Sequence, residues 1–488
     1  MFLALNPDRL RVLDWALLMM LGALVIIPAL GQTRACISHE ILHAEIIREM
    51  AERGDYVETK ILGERIPDKP PVMHAPAALL TRWLGHTSLW VARLPSALAG
   101  ILGILAAYEI GRALLDRRAA LLGAVALLGM PGYSLLAREA LPDMILCTGI
   151  SFSCLGLVLG MRAQKPFVRT IYFALAGGAA GVAVLAKGPI GLLFPVVFAI
   201  LVPFRRAEFK RPRVGWLVFI VGLLATAAIW AVPAYLRDHG LYLHQVIFQR
   251  DLNLAEAVQK KPFYLYFGVG FLLSLPLSIF LPAALLDCRR HGYSSLLAMA
   301  AAILLVFSCV PKKRDHYLLP MYPFLALGIA TAIVRRSETS LLVRRVTWTL
   351  VPLSLAAMPL YFAVIQPRIL HTEDPEIVFA KEVLPIIGTD GRVLCVQVHS
   401  EVLAWVAGRY DGMSDLNLKS ATTVDRLRQA PKGVYLLINE KNLAPLLKTT
   451  GPLPLKLVLD RRVRKETWDL YRFDDAPDPV SMKAVKAI

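Results

Sequence analysis

Apolar residues in this chain fall into long, nearly unbroken runs, separated by short polar breaks that are mostly basic. A membrane-crossing helix takes about 20 apolar residues. The runs at 12–31, 89–111, 119–136, 141–161, 170–186, 189–204, 215–235, 264–286, 293–310, 318–334 and 346–365 therefore predict about eleven transmembrane helices. From Gln366 the pattern changes to short apolar stretches with charges throughout. Alternation and turn residues predict strands over 392–399 and 433–439, helices over 401–407 and 440–448, and a closing hairpin from 455–459 and 468–473. The reading is thus an α-helical polytopic membrane domain over 1–365, followed by a small α/β domain over 366–488.

One polar insert, 32–88, separates the first two apolar runs. Ser38 is a good N-cap, and Glu40 suits the first turn of a helix that follows it. Ile41, Ala44, Ile47 and Met50 recur at helical spacing, which predicts one apolar stripe, with Glu45, Arg48, Glu49 and Glu52 on the polar face. Gly54 ends this helix and Gly63 marks a turn. Pro70 and Pro71 then deny the chain a helix and hold Asp68 and Lys69 on a stiff loop. A rigidly held cation beside a carboxylate suits phosphate binding.

Composition agrees with the membrane reading. Hydrophobic residues make up 56% of the 488 and charged residues only 19%, below the quarter usual in soluble domains. The net charge of +17 does not point to nucleic acid, because no basic block is interleaved with aromatics. It is explained by topology. With the N-terminus cytoplasmic, Arg112, Arg117 and Arg118, then Arg162, Lys165 and Arg169, then 205–213, Arg289 and Arg290, and Arg335 to Arg345 all fall on inner loops. The insert, the Arg138–Asp143 turn, the Lys187 turn, 236–263, 311–316 and the tail then face outward. Trp15 to Leu30 also has the look of a signal-peptide core, but it is read here as the first anchor. The six cysteines form no CxxC or Cys/His cluster and no legible disulfide framework.

Several motifs occur in order: Glu40, Ala44, Glu45, Ile46, Arg48, Glu49, Met50, Gly54, Asp55, Tyr56; Asp68-Lys69-Pro70-Pro71; Arg138-Glu139-Ala140-Leu141-Pro142-Asp143; Leu185-Ala186-Lys187-Gly188-Pro189; Lys261-Pro262-Phe263-Tyr264; and His316-Tyr317-Leu318-Leu319-Pro320. Over roughly the first two thirds of the chain they resemble the polyprenyl-phosphate-sugar glycosyltransferases, which include the protein O-mannosyltransferases and the lipid A aminoarabinose transferases. The resemblance implies a GT-C fold in the inner membrane. It also implies transfer of a sugar, with inversion, from a polyprenyl-phosphate donor to a lipid or lipopolysaccharide-type acceptor at the outer face.

Such a reaction needs cations for the leaving phosphate, a carboxylate for the acceptor and a cavity for a lipid tail. The resemblance makes Lys69 the main phosphate ligand, with Lys187 and Tyr317 as further donor-site residues. Lys312, Lys313 and Arg314 form an anion-binding edge on an outer loop where cations are otherwise disfavoured. Asp143 aligns with the family's second-loop acid. Each residue also has an ordinary reading: Lys69 and Lys187 snorkelling, Asp143 as an N-cap, Tyr317 as an interfacial anchor, Arg138 pairing with Glu139. Family members open the first loop with Asp-Glu, whereas this chain has His39-Glu40, so Glu40 or His39 is expected to act on the acceptor. His43 replaces a family tyrosine, and Asp68 with His43 or His39 is the set from which a divalent metal site could be built. A lipid-linked sugar flippase, a protein O-mannosyltransferase-like enzyme and an inactive binding relative are the rival readings. Paired broken spans in matching halves, expected of a transporter, are not seen.

Overall fold

The computed structural model describes residues 7–32, 38–66, 69–202, 213–249, 261–291, 293–311, 313–369, 374–409, 411–416, 421–464 and 466–474. Each of the eleven apolar runs overlaps a described helix, from Pro7–Ile26 to Leu341–Leu360. Among the described residues, six helices are long and apolar enough to cross a membrane, or eight when each of two sharply bent pairs is one span. The bent pairs are Arg117–Leu128 with Pro131–Arg138, at 65°, and Leu265–Leu273 with Leu277–Cys288, at 111°. Helices Ile190–Leu201 and Ser294–Cys309 are apolar but shorter. The protein is a multi-pass helical membrane protein with a small α/β sheet domain in its tail.

Two compact units form. The first gathers 1–33, 54–59 and 67–370; the second gathers 34–53, 60–66 and 371–488. The expected division at residue 365 changes accordingly, because the helix and the hairpin of the insert cluster with the tail.

In the first unit the sequence sets helix ends by side-chain caps. Ser88 accepts the Val91 N–H at 3.4 Å to open Leu89–Leu114, and Asp116 accepts that of Ala119 at 2.9 Å to open Arg117–Leu128. Charges at the basic end tie helices together. Asp14 takes both nitrogens of Arg117, at 2.6 and 2.7 Å, and the Tyr108 hydroxyl. Glu109 takes Arg11 at 2.7 and 2.8 Å and the Trp15 indole at 2.8 Å. Helices Asp143–Arg162 and Pro166–Lys187, joined by three residues, pack antiparallel at close range. A Cβ on Gly149 would lie 2.9 Å from the Ala179 carbonyl oxygen, and one on Gly156 would lie 2.9 Å from both the Tyr172 carbonyl oxygen and the Ala176 Cβ. Small residues are what lets membrane helices approach this closely.

In the second unit a five-stranded sheet runs Met413–Leu416, Val393–Val396, Tyr435–Asn439, Glu466–Phe473, Leu455–Val463. The first three strands are parallel and the last two form an antiparallel hairpin. The expected strands, helices and hairpin of the tail are all present. Helices Pro375–Ile387 and Ala421–Arg428 and the strand Met413–Leu416 are additional. Their sequences are short or interrupted, and their faces are defined only by the sheet they cover.

Helix Ser38–Arg53 packs on Ser400–Ala407 within this unit. The predicted stripe of Ile41, Ala44, Ile47 and Met50 is buried, but so are Glu45, Arg48 and Glu49, which corrects the expectation of an outward polar face. The helix is enclosed by Ser400–Ala407 and by the hairpin of Lys60–Ile61 and Glu64–Arg65. Glu45, Arg48 and Glu49 find partners within the unit. Arg48 reaches Glu45 with two nitrogens and Glu52 with a third contact at 3.3 Å. Glu49 accepts the N–H groups of Leu62 at 2.5 Å and Gly63 at 3.1 Å. Gly63 has φ +76, so the turn there falls at a glycine as expected.

Candidate functional site

Asp143 opens its helix just after Pro142, yet it does not cap it: Pro142 holds the capping position without a side-chain bond. The carboxylate turns instead to Lys187, the last residue of the neighbouring helix, and accepts its ammonium. The glycine-spaced packing of these two antiparallel helices brings the start of one level with the end of the other. Both side chains are largely withdrawn from solvent, with 6% of Asp143 and 12% of Lys187 exposed. The same ammonium lies 4.2 Å from the centre of the Tyr317 ring, a cation–π geometry. Tyr317 therefore presents its face to Lys187. Phe307 and His316 pack on it at ring-centre distances of 5.4 and 5.0 Å.

The segment carrying His316 and Tyr317 is pinned from two sides. The Tyr266 hydroxyl accepts the Arg314 N–H at 2.7 Å and donates to the Arg314 carbonyl at 2.8 Å. Cys147, one turn after Asp143, donates to the Leu319 carbonyl at 3.5 Å. Lys187, His316 and Lys69 all act electrostatically on Asp143. Lys69 is half-buried on the Pro70-Pro71 loop. The structure therefore groups Asp143, Lys187, His316, Tyr317 and Lys69 at one end of the first unit: a carboxylate, two lysines and a histidine around an aromatic ring.

The expected row of three loop cations is corrected. Lys313 is buried and donates to the Val310 carbonyl at 2.6 Å, with its ammonium 5.8 Å from the Tyr266 ring centre. The carbonyl end of helix Ser294–Cys309 draws that cation inward. Arg314 is half-buried and fixed through its backbone, and Lys312 lies outside the described residues. Arg138 does not pair with Glu139; it donates to the Ile26 carbonyl and lies over the Phe362 ring, its guanidinium carbon 4.0 Å from the centre. The direct Asp143–Lys187 pair and the charge of His316 were not anticipated. The signal was present in a helical hairpin whose Gly149, Gly156 and Gly160 allow close approach and whose free ends must then meet.

Three further expected residues, His39, Glu40 and His43, belong to the second unit. Glu40 and His43 are buried on Ser38–Arg53, and His39 stands at the start of that helix, its side chain outside the described residues. Asp68, one of the two weak metal candidates, also lies outside them. Among the described residues no group of three or more His, Cys, Asp or Glu side chains is placed to hold a metal ion.

A cavity of about 560 Å³ opens beside the same helices in the first unit, lined by Ala77, Leu80, Leu98, Leu102, Phe152 and Val182 among others. Its wall is almost wholly apolar, which suits a hydrocarbon chain and not a sugar.

Residues 68–230 match the profile of the dolichyl-phosphate-mannose-protein mannosyltransferase family. The chain is 28% identical over 340 residues to the undecaprenyl phosphate-alpha-4-amino-4-deoxy-L-arabinose arabinosyl transferase of Aeromonas salmonicida, across 67% of this chain and 60% of that protein. It thus spans less than two thirds of that relative's length. The transferase of the same name from Pseudomonas paraeruginosa is 28% identical over 416 residues, across 80% of this chain and 73% of its own. The crystal structure of ArnT from Cupriavidus metallidurans bound to undecaprenyl phosphate superposes with a TM-score of 0.73 at 17% identity, covering 97% of this chain and all of that one. The Archaeoglobus fulgidus oligosaccharyltransferase with a tethered acceptor peptide gives 0.51 at 13% identity, covering 96% of this chain and 75% of its own. The chain resembles the polyprenyl-phosphate-sugar glycosyltransferases in sequence and has their GT-C fold.

Proposed function

We propose that this protein is a glycosyltransferase of the inner membrane that moves a sugar from a polyprenyl-phosphate carrier to a lipid or lipopolysaccharide-type acceptor at the outer face, with inversion. The observation that carries the reading is the Asp143–Lys187 pair against Tyr317, with Lys69 and His316 acting on the same carboxylate, at the end of a bundle that also holds an apolar cavity. The relatives named for undecaprenyl-phosphate aminoarabinose transfer support a lipid-linked donor.

In this reading Lys69 holds the leaving phosphate. As the bond to the sugar breaks, negative charge gathers on the phosphate oxygens, and a preorganised ammonium stabilises that charge more than it stabilises the bound donor. Lys187 cannot serve as a free cation while Asp143 neutralises it. It therefore holds Asp143 in one orientation and adds a polarised positive edge beside Tyr317. A carrier tail lies in the apolar cavity, whose lining offers it no competing polar group. Glu40 takes the second carboxylate role, acting on the acceptor, with His39 as its neighbour at the helix start. The helix dipole favours a carboxylate over an imidazolium there.

Purified protein in proteoliposomes, given polyprenyl-phosphate sugars and lipid acceptors, tests the reading. Lys69→Ala is expected to abolish transfer while leaving expression and folding intact. Lys69→Arg is expected to restore little, because a planar fork does not replace a compact ammonium. Wild-type turnover by Lys69→Ala removes Lys69 from the site. The facing of the loops is tested with a membrane-impermeant thiol probe in intact cells. Thr87→Cys and Ser414→Cys are expected to label and Glu208→Cys to stay silent; the reverse pattern inverts the topology.

One observation favours a second reading, an inactive binding relative: the family's aspartate is replaced by His39. Glu40→Gln and His39→Ala decide it. Loss of transfer in Glu40→Gln alone assigns the carboxylate, and loss in His39→Ala alone assigns the histidine. Absence of transfer by the wild type from every donor leaves the binding reading.

A further inference from the structure

Arg138 ends the short helical turn Leu136–Arg138, and its side chain is 3% exposed. One nitrogen, Nη1, donates to the carbonyl of Ile26 at the end of helix Pro7–Ile26. The other two, Nε and Nη2, are buried and have no hydrogen-bond partner. They are the two parallel donors along one edge of the guanidinium, the edge that grips a carboxylate or phosphate with two bonds at once. Nearby stands Arg93, 1% exposed, which donates to the Leu30 carbonyl at 2.6 Å. It is the charge that acts on Arg138, and it has the same sign. Phe362 covers the guanidinium face at 4.0 Å.

Capping of the first helix and the turn after it accounts for Nη1 and for the bond from Arg93. It does not account for the two buried, unbonded donors. A buried cation without a counter-charge is costly, and each buried donor left unsatisfied adds to that cost. The next residue, Glu139, does not meet this edge. Asp143 is committed to Lys187.

We propose that Arg138, backed by the charge of Arg93, binds an oxyanion of the phosphate class through its Nε–Nη2 edge, at a site separate from the Asp143–Lys187 group. Two sources supply that chemistry at a membrane surface, free phosphate and the headgroup of an anionic phospholipid. Because the edge is enclosed, the anion is held rather than freely exchanging, and it should survive purification. Its role is to complete the charge balance where the first helix ends against Leu89–Leu114 and the bent span.

Native mass spectrometry of the full chain, delipidated in neutral detergent, tests this. The protein is incubated with inorganic phosphate, with phosphatidylglycerol micelles or with phosphatidylcholine micelles. The wild type is expected to retain one adduct of phosphate, of phosphatidylglycerol or of each, and to hold phosphatidylcholine far more weakly. Retention of phosphate identifies the free ion; retention of phosphatidylglycerol alone identifies the headgroup. Arg138→Lys is expected to weaken retention roughly tenfold or more, since an ammonium cannot make the paired bonds, and Arg138→Gln to remove it. Lys69→Ala is expected to keep the adduct, so the result stands apart from the fate of the donor site. No adduct with either anionic probe, equal retention in the Arg138 variants, or loss in Lys69→Ala overturns the proposal. If the Arg138 variants fail to fold, a cryo-EM or crystal map of the wild type with the anionic probe decides: density for an oxyanion against Nε and Nη2 supports the site, and its absence there overturns the site.

Discussion

Two buried ion pairs in this protein are built on opposite plans. Glu45 and Arg48 stand three residues apart on one helix, so their meeting follows from helical spacing alone. Asp143 and Lys187 are 44 residues apart and meet only because two membrane helices pack closely enough to bring their ends together. The local pair sits among other groups that share its charge, with Glu52 on Arg48 and Glu49 held by two backbone N–H groups. The long-range pair sits in an apolar bundle with an aromatic ring as its third member. A pair of the first kind needs only to be buried. A pair of the second kind reports on the tertiary structure and, in the proposed reaction, on the chemistry.

The largest effect that would sharpen this contrast is on turnover. Lys69→Ala should eliminate transfer, whereas Arg48→Met should leave the donor step intact, as measured by hydrolysis or exchange of the polyprenyl-phosphate sugar. Next comes stability. Lys187→Met removes the direct partner of the buried Asp143 carboxylate and should cost up to about 3–5 kcal/mol, while the double variant Asp143→Leu with Lys187→Met should regain most of that without regaining transfer. Denaturation in detergent, followed by tryptophan fluorescence, measures both. A double variant no more stable than the single one would show that the pair is not the source of the cost.

Arg48→Met should cost less than Lys187→Met. Burial already pushes the Glu45 carboxyl above the ordinary carboxylate range despite the Arg48 guanidinium, so Glu45 can take up a proton once Arg48 is gone. Glu49→Gln removes charge from a carboxylate that holds the Leu62–Gly63 turn and should cost about 1–3 kcal/mol, read as faster hydrogen exchange at those two amides. Unchanged exchange would show that the turn stands without it.

The smallest expected effect is on pH dependence. In the second unit, burial raises Glu45 and Glu49, lifts Glu401 to about 7 and lifts Asp415 to about 6. His399 is also raised, by its hydrogen bond to Glu376 at 2.8 Å. A carboxyl raised on folding binds more protons in the native state, so its contribution is greatest at low pH and is lost as pH rises from the ordinary carboxylate range to the raised value. The raised histidine contributes below its ordinary range and loses that contribution as pH rises through the raised value. All these groups act in one direction. The second unit should melt a few degrees higher near about pH 5.5 than near about pH 8, and Glu401→Gln should flatten the difference. A melting temperature that rises with pH would contradict these shifts.

Hydrophobic run length alone placed the apolar helices, though not how many of them are long enough to cross a membrane by themselves, because a buried or lipid-facing helix must keep its backbone bonds internal and its surface apolar. Alternation and turn residues likewise placed the strands of the tail, and Gly63 placed its turn. The motifs around Lys69, Asp143, Lys187 and Tyr317 were legible as chemistry-bearing residues. Their partners were not. Asp143 read as the second-loop acid or a helix cap and Lys187 as a snorkelling or donor-site cation, since each residue's local sequence supports those readings. The ion pair appears only when Gly149 and Gly156 let the helices close. The burial of Glu45, Arg48 and Glu49 was hidden for a related reason: amphipathic spacing describes a helix with one covered face, and this one is covered on more. The open edge of Arg138 has no sequence signal at all. Hydrogen-bond satisfaction is a property of surroundings, and those come from segments as distant as Ile26 and Phe362, which only the tertiary structure brings to one place.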